Sequence, residues 1–144
     1  MLHGHGDDLH TCGQTIRANF SSNIFATTDL SALQQHLSAH LSVIGHYPEP
    51  EPYALESLWA DSLGLLPAEI CVTNGATEAI YLTAQAFRGA TSYIRQPTFS
   101  EYADACRMHG HSVRSLFTDD AIDDTPDLVW LCNPNNPTGE VRDR

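Results

Sequence analysis

The second half of the chain alternates short apolar runs with segments of helical length, and this alternation constrains the fold more than any other feature. Four runs have the length of strands: residues 70–73, 91–95, 112–117 and 127–132. The segments after the first two runs are expected to be helices that end near Arg88 and His109, each followed by a glycine. Strands that alternate with such helices form right-handed βαβ units. The sequence therefore predicts an α/β fold with helices packed on a mostly parallel sheet.

The first half of the chain is expected to contain a polar arm over residues 1–20, followed by two amphipathic helices. Asp29 or Thr28 would cap the first helix, and Gly45 would end it. The apolar positions of this helix share one face: Leu30, Leu33, Leu37, Leu41 and Ile44.

A connector with prolines at alternate positions, residues 47–52, separates these two helices. Proline fixes φ and removes a hydrogen-bond donor, so the connector is expected to be stiff and to hold Tyr47 in a defined place. Pro52 would begin the second helix. The apolar face of that helix is formed by Leu55, Leu58, Trp59 and Leu63. We predict a domain boundary here, between residues 1–52 and residues 53–144.

The charge balance argues against several classes of partner. Eighteen acidic residues oppose seven arginines, and the sequence contains no lysine, so the formal net charge is −11. Without a basic cluster, this balance disfavours binding to nucleic acid. The sequence has no apolar run of about eighteen residues and does not begin like a signal peptide. We therefore expect no membrane partner and a cytoplasmic location.

The cysteines and the N-terminal histidines do not favour a metal site. The four cysteines are widely spaced and form no Cys-x-x-Cys pair, which is typical of free thiols in a reducing compartment: Cys12, Cys71, Cys106 and Cys132. His3, His5 and His10 lie near two aspartates in a polar tail. Their spacing favours a solvated or substrate-facing arm, so we predict no metal.

The junction after residues 70–73 is a candidate anion-binding cup. The first N–H groups of a helix have no partner within the helix, and they point toward one spot together with the positive end of the helix dipole. Gly75 allows close approach of a ligand to the backbone, and Thr77 adds a hydroxyl donor. A phosphate would fit such a cup. An ordinary capped helix is the alternative, and the absence of lysine excludes a P-loop.

Three elements that follow predicted strands are expected to converge on one ligand. In parallel sheets ligands bind beyond the carboxyl ends of the strands. The cup at Gly75, the turn at residues 97–99 and the loop around Asn136 all follow such ends. An aromatic side chain there can stack on a ring, and an asparagine can donate to a ring oxygen. The set would suit a planar, anionic molecule.

A family resemblance rests on these elements. Residues 133–139, Asn-Pro-Asn-Asn-Pro-Thr-Gly, resemble the Asn-Pro-x-Asn-Pro-Thr-Gly signature of the fold-type I, pyridoxal-phosphate-dependent aminotransferases of class I and II. Three further stretches agree with that family in order and spacing: Tyr47-Pro48, residues 74–78 and residues 97–102. The chain is most similar to the histidinol-phosphate aminotransferase and threonine-phosphate decarboxylase branch. The arm of that branch resembles residues 3–4 and 19–24.

The resemblance implies bound pyridoxal phosphate and assigns a role to each element. The cup formed by Gly75, Ala76 and Thr77 would hold the phosphate through backbone N–H groups and the Thr77 hydroxyl. Phe99 would lie on the pyridine ring. Asn136 would donate a hydrogen bond to the phenolic oxygen of the cofactor, which stabilises the oxyanion.

The resemblance also implies a homodimer with shared sites. Tyr47 would reach the phosphate of the cofactor in the neighbouring subunit. In the arm, Asn23, Ser22 and His3 would contact an amino-acid or amino-phosphate substrate. The boundary at residue 52 would then separate a dimer-contact part from the first part of the cofactor-binding large domain.

The predicted function is that of an aminotransferase, and a phosphoamino-acid decarboxylase is the alternative because both share these residues. The Schiff-base lysine of the family is absent, and the acidic partner of the pyridine nitrogen and the substrate-binding arginine are expected after Gly139. We therefore expect an N-terminal portion of a longer enzyme, inactive by itself. A non-catalytic ligand-binding or interaction fragment is the second alternative. Asp7 and Asp8 would disfavour a phosphorylated substrate unless Arg17 or the histidines offset them, so the substrate stays open.

Overall fold

The computed structural model describes residue 13 and residues 15–23, 27–117 and 125–143. By its internal contacts the chain divides into two units, and the division falls between Val72 and Thr73. The domain boundary at residue 52 stays a prediction.

The first unit, which ends at Val72, contains two α-helices, α1 (Ser31–Ala39) and α2 (Tyr53–Leu63). Each is followed by a short 3₁₀ helix, Leu41–Gly45 and Pro67–Glu69. The apolar faces of both α-helices are largely exposed, and Ala60 is the buried residue of α2.

Leu30, rather than Asp29 or Thr28, is the N-cap of helix α1, and the helix ends earlier than the sequence predicts. The Asp29 carboxylate accepts a hydrogen bond from the Ser31 N–H at 2.9 Å, which lowers the pKa of Asp29. The expected single helix through residue 44 instead changes to the 3₁₀ helix after His40. The His40 ring nitrogen Nδ1 lies 2.8 Å from the His36 carbonyl oxygen, which a continued α-helix would offer to the His40 N–H. That N–H bonds to the Leu37 carbonyl instead.

Helix α2 follows the prediction with a shift of one residue. Pro52 is its N-cap rather than its first residue, so the helix begins at Tyr53. Gly64 ends the helix with φ of +68°, a left-handed conformation that favours glycine. The Glu56 carboxylate on this helix accepts a hydrogen bond from the Val72 N–H at 3.1 Å.

The unit that begins at Thr73 contains a three-stranded parallel sheet. Its strands are β1 (Thr91–Arg95), β2 (Ser112–Leu116) and β3 (Leu128–Trp130), in the order β2-β1-β3. In the register, Tyr93 of β1 lies opposite Arg114 of β2 and Val129 of β3. The predicted α/β fold with parallel strands is confirmed.

Two helices belong to this unit, α3 (Gly75–Ala86) before β1 and α4 (Glu101–Met108) between β1 and β2. They pack on each other around Ile80, Ala84 and Ala105. Four half-buried aromatic side chains extend this core: Tyr81, Phe99, Tyr102 and Trp130.

Residues 70–73, which were predicted as a strand, pair with no strand in the described part of the chain. The backbone at Ile70 is extended, with φ of −111° and ψ of +136°. An extended apolar run becomes a sheet strand only when its N–H and C=O groups bond to a neighbouring strand, and residues 70–73 make no such pairing with the described strands.

A buried polar network joins α3 to the sheet. Ser92 Oγ lies 2.8 Å from His111 Nδ1 and accepts a hydrogen bond from Trp130 Nε1 at 3.2 Å. His111 Nε2 lies 2.8 Å from the Ala84 carbonyl oxygen. Since a carbonyl only accepts, Nε2 carries the proton, and in the neutral ring Nδ1 accepts from the Ser92 hydroxyl. Ser92 and His111 are buried, so the network replaces the hydrogen bonds that water would provide.

We expect Ser92→Ala to lower the free energy of unfolding by about 1–3 kcal/mol, because Trp130 Nε1 then loses its acceptor and His111 Nδ1 loses its donor. Urea unfolding followed by circular dichroism measures this. The control is Ser115→Ala on the exposed side of β2, which should change stability by no more than about 0.5 kcal/mol. Equal effects of both substitutions would show that the network contributes nothing.

Candidate functional site

The candidate site lies at the carboxyl edge of the sheet, where a turn and a loop are joined by one side chain. The turn follows β1, and the loop, residues 133–139, follows β3. Asn135 Oδ1 accepts a hydrogen bond from Thr98 Oγ1 at 2.9 Å, and Asn135 Nδ2 donates to the Pro97 carbonyl at 2.9 Å. The structure thus brings together the Phe99 turn and the Asn136 loop.

The loop is closed by further hydrogen bonds of its asparagines. The Asn135 N–H donates to the Glu140 carbonyl at 2.8 Å, and the Asn135 amide also donates to Thr138 Oγ1 at 2.8 Å. At the base of the loop, the Asn133 side chain bonds in both directions to the Arg142 backbone, at 2.9 and 3.1 Å. The peptide bonds before Pro134 and Pro137, and that before Pro97, are cis.

The predicted cup is the first turn of α3. Gly75 has φ of +83°, and its N–H donates to the Thr73 carbonyl at 2.8 Å, while Thr73 Oγ1 donates back to the Gly75 carbonyl at 2.9 Å. Ala76 and Thr77 are exposed, and their N–H groups have no hydrogen-bond partner in the described part of the chain. These N–H groups are therefore available to an anion.

A carboxylate also lies beside the cup. The Glu78 carboxylate accepts hydrogen bonds from the backbone N–H of Asn74 and, at 3.1 Å, from its side-chain amide. This contact satisfies the N-terminal donor of Asn74 and holds the negative charge there.

A hydrogen bond to a buried carboxylate joins α3, the helix of the cup, to α4, the helix that follows the Phe99 turn. The Tyr81 hydroxyl of α3 donates to Glu101 Oε2 at 2.8 Å, and Glu101 is buried at the first residue of α4. The helix dipole favours a carboxylate at that position. The hydrogen bond to Glu101, together with burial, raises the pKa of Tyr81 to about 12.

Aromatic contacts support Phe99 from the core side. The rings of Phe99 and Tyr102 meet edge to face, with centroids 6.5 Å apart and an angle of 87°. Tyr102 in turn contacts Trp130, with centroids 5.5 Å apart. Burial and the neighbouring Cys132 thiol raise the pKa of Tyr102 to about 12, so the phenol stays protonated over the working pH range. Phe99 is half-buried, so part of its ring stays accessible.

The other predicted site residues lie in the first unit or outside the described residues. Tyr47 is fully exposed, Ser22 is half-buried and Asn23 is exposed. His3 and the neighbouring histidines lie outside the described residues. Their roles stay predictions.

The described residues also bear on the remaining expectations. Cys71 is exposed, Cys106 is buried and Cys132 is half-buried, and all three are free thiols, while Cys12 lies outside the described residues. Within the described ranges no group of three or more histidine, cysteine or acidic side chains is arranged to hold a metal. None of the helices described here has the length and apolar character needed to cross a bilayer.

Sequence reasoning missed the residues that hold the site together. Asn135 and Asn133 stand in the sequence only as members of a motif, although an asparagine beside a proline is a common turn-stabilising residue. Glu101 has the position of an exposed helix-start carboxylate and is instead buried. The one signal in the sequence is the presence of a tyrosine, Tyr81, on the preceding predicted helix, which could donate a hydrogen bond to Glu101.

The sequence comparison identifies the family. The sequence model of the family "Aminotransferase class I and II" matches residues 16–144, so the chain belongs to that family. This finding confirms the resemblance inferred from the motif at residues 133–139.

Among individual proteins, the chain is similar to histidinol-phosphate aminotransferases. It is 29% identical to that of Anoxybacillus flavithermus over 119 residues, which is 74% of this chain and 32% of that protein. It is 31% identical to histidinol-phosphate aminotransferase 1 of Bacillus thuringiensis subsp. konkukian over 105 residues, or 65% of this chain and 28% of that protein. The chain thus spans about a third of the curated relatives it matches.

A solved structure shares the fold as well. The crystal structure of L-threonine-O-3-phosphate decarboxylase from Porphyromonas gingivalis superposes with a TM-score of 0.78 at 41% identity. The match covers 85% of this chain and 39% of that one.

We expect Tyr81→Phe to lower the free energy of unfolding by about 1–3 kcal/mol at neutral pH, because the buried Glu101 carboxylate loses a donor. The folded-state pKa of Tyr81 is raised from 10 to about 12, so this contribution is complete below pH 10 and is lost as pH rises toward 12. Urea unfolding of both proteins between pH 7 and pH 11 measures the difference.

The control for this experiment is Tyr53→Phe, because Tyr53 is exposed and its phenol should contribute little. A Tyr81→Phe difference that is absent at neutral pH, or that grows above pH 10, would contradict the assignment of Tyr81 as the donor to Glu101.

Proposed function

We propose that the protein carrying this chain is a pyridoxal-phosphate-dependent aminotransferase that acts on an amino acid or an amino-phosphate. The described residues from Thr73 onward would supply the phosphate-binding and ring-binding part of its cofactor site. The observation that carries the proposal is the joining of the Phe99 turn to the Asn136 loop by Asn135, in the same unit as the available N–H groups of α3.

The residues of this unit fit the chemistry of the cofactor. Two N–H groups and a hydroxyl at a helix N-terminus, from Ala76 and Thr77, suit a dianionic phosphate. The half-buried face of Phe99 suits an aromatic ring, and the amide of Asn136 suits an anionic ring oxygen. When bound, pyridoxal phosphate supplies an electron sink for the carbanion that forms at the substrate Cα.

The described residues of the chain would bind and orient, and the proton transfer would belong to other residues. The sequence contains no lysine, so the covalent link to the cofactor and the proton shuttle have to come from another part of the protein. In this division, the cup fixes the phosphate, Phe99 fixes the ring plane, and Asn136 lowers the free energy of the oxyanion.

The first unit would serve the dimer and the substrate. We propose a cytoplasmic homodimer in which residues 1–52 contribute to subunit contact. Tyr47 has the full exposure that a residue reaching a neighbouring subunit needs. Ser22 and Asn23, together with His3, would face the substrate.

A decarboxylase acting on a phosphorylated amino acid is the second candidate. It is favoured by the higher identity to the threonine-phosphate decarboxylase, 41% against 29–31% for the aminotransferases. Both reactions use the same cofactor and differ in the bond that breaks at Cα, either to hydrogen or to the carboxylate. The described site residues are compatible with both.

We expect Thr77→Val to weaken binding of pyridoxal phosphate by about 10- to 150-fold, because a hydrogen bond to a charged phosphate contributes about 1.5–3 kcal/mol. Binding of pyridoxal, which lacks the phosphate, should be unchanged. Fluorescence titration of the full reading frame that contains this chain measures both affinities.

The matched control is Thr83→Val on the same helix, where the hydroxyl donates to the Ala79 carbonyl at 2.8 Å. It should leave both affinities unchanged. If Thr77→Val weakens pyridoxal as much as pyridoxal phosphate, the cup is not the phosphate site.

Product analysis separates the two candidate functions. The loaded protein is incubated with histidinol phosphate and a 2-oxo acid, and separately with L-threonine O-3-phosphate. An aminotransferase transfers the amino group to the oxo acid and releases no carbon dioxide. A decarboxylase releases carbon dioxide from the phosphothreonine without consuming an oxo acid. Cofactor binding without either product would overturn both substrate assignments while leaving the cofactor site in place.

A further inference from the structure

The Cys132 thiol lies inside the Asn136 loop. Cys132 comes two residues after strand β3 and is half-buried. Its sulfur accepts a hydrogen bond from the Asn136 N–H, at 3.4 Å from N to Sγ. The same thiol donates to the Pro134 carbonyl at 3.3 Å. One side chain therefore holds both the start of the loop and the backbone of the residue predicted to contact the cofactor.

The thiol also lies beside the aromatic group that supports Phe99. Cys132 is close enough to the Tyr102 hydroxyl to contribute to its raised pKa, after burial. The Tyr102 ring packs edge to face on Phe99. Cys132 thus connects the two halves of the ring-binding site, the stacking aromatic on one side and the asparagine on the other.

We propose that Cys132 is a positioning residue for Asn136, whose thiol fixes the distance of the Asn136 backbone from the end of β3 and so aims its amide at the phenolic oxygen of the cofactor. This inference rests on the proposed function of the site. Cys132 itself touches neither cofactor nor substrate in this assignment. Its effect reaches the cofactor only through Asn136.

The size of sulfur is what suits this role. Thiol hydrogen bonds are weak and long, so the contacts at 3.3 and 3.4 Å use the greater reach of sulfur rather than bond strength. A serine hydroxyl is more polar than the thiol but has a shorter reach, and it would draw the Asn136 backbone inward. Alanine would remove both contacts, including the one from the Asn136 N–H to the sulfur.

The experiment compares variants of the full-length protein loaded with pyridoxal phosphate. A hydrogen bond from Asn136 stabilises the deprotonated form of the chromophore, so its loss raises the pH midpoint at which the visible absorption changes. We expect Cys132→Ala to raise that midpoint by up to about one pH unit, the change that an ordinary hydrogen bond produces. Cys132→Ser should shift it in the same direction by less.

A double-variant cycle separates positioning from general destabilisation. Asn136→Ala alone should raise the midpoint, and adding Cys132→Ala to it should produce no further rise. The control is Cys106→Ala, a buried thiol of the same unit, whose loss should lower thermal stability without moving the midpoint.

Two results would overturn the inference. The first is that Cys132→Ala, loaded with pyridoxal phosphate, has the same pH midpoint as loaded Cys106→Ala. The second is that adding Cys132→Ala to Asn136→Ala raises the midpoint by as much as Cys132→Ala does alone. A wild-type protein with no cofactor absorption would instead overturn the proposed function itself, so the two failures are distinguishable.

Discussion

The candidate site depends on the side chain of Asn135. Its amide has one acceptor and one donor end, and it uses the acceptor for the Thr98 hydroxyl and the donor for the Pro97 carbonyl and the Thr138 hydroxyl. Parallel pairing of β1 with β3 brings the two strand ends to one edge, but it does not fix the irregular chain beyond them. Asn135 fixes that chain, because its side chain bonds to Thr98 and Pro97, which lie 37 and 38 positions before it in the sequence.

Behind that edge, two sets of polar contacts join the helices to each other and to the sheet. Tyr81 and Glu101 join α3 to α4, and the network around Ser92 joins α3 to β1 and β3. In each set, the buried polar groups have hydrogen-bond partners, so their burial does not carry a large free-energy cost. Since α3 carries the cup and α4 follows the Phe99 turn, these contacts also position the site.

The sequence predicted much of the fold because local patterns decide it. Strand β1 was predicted with its observed bounds, and the glycines after α3 and α4 marked their ends. The first helix was predicted too long because the His40 ring takes the His36 carbonyl, a contact that apolar periodicity does not reveal. The strand at residues 70–73 was predicted from composition alone, whereas pairing requires a partner strand.

The motif residues of the site could be predicted from the sequence, and the residues that hold them in place could not. Asn136 and Phe99 stand in motifs that a single sequence shows, and the cup at Gly75 needs only a helix start. Asn135, Glu101 and Cys132 act through contacts that only the folded chain creates.

We propose that α3 holds the cofactor phosphate and that Phe99 carries the cofactor ring. A crystal structure of the full-length protein with pyridoxal phosphate tests it most directly. We predict the phosphate at the Ala76 and Thr77 N–H groups and the ring on Phe99, and a cofactor bound away from both would contradict the account.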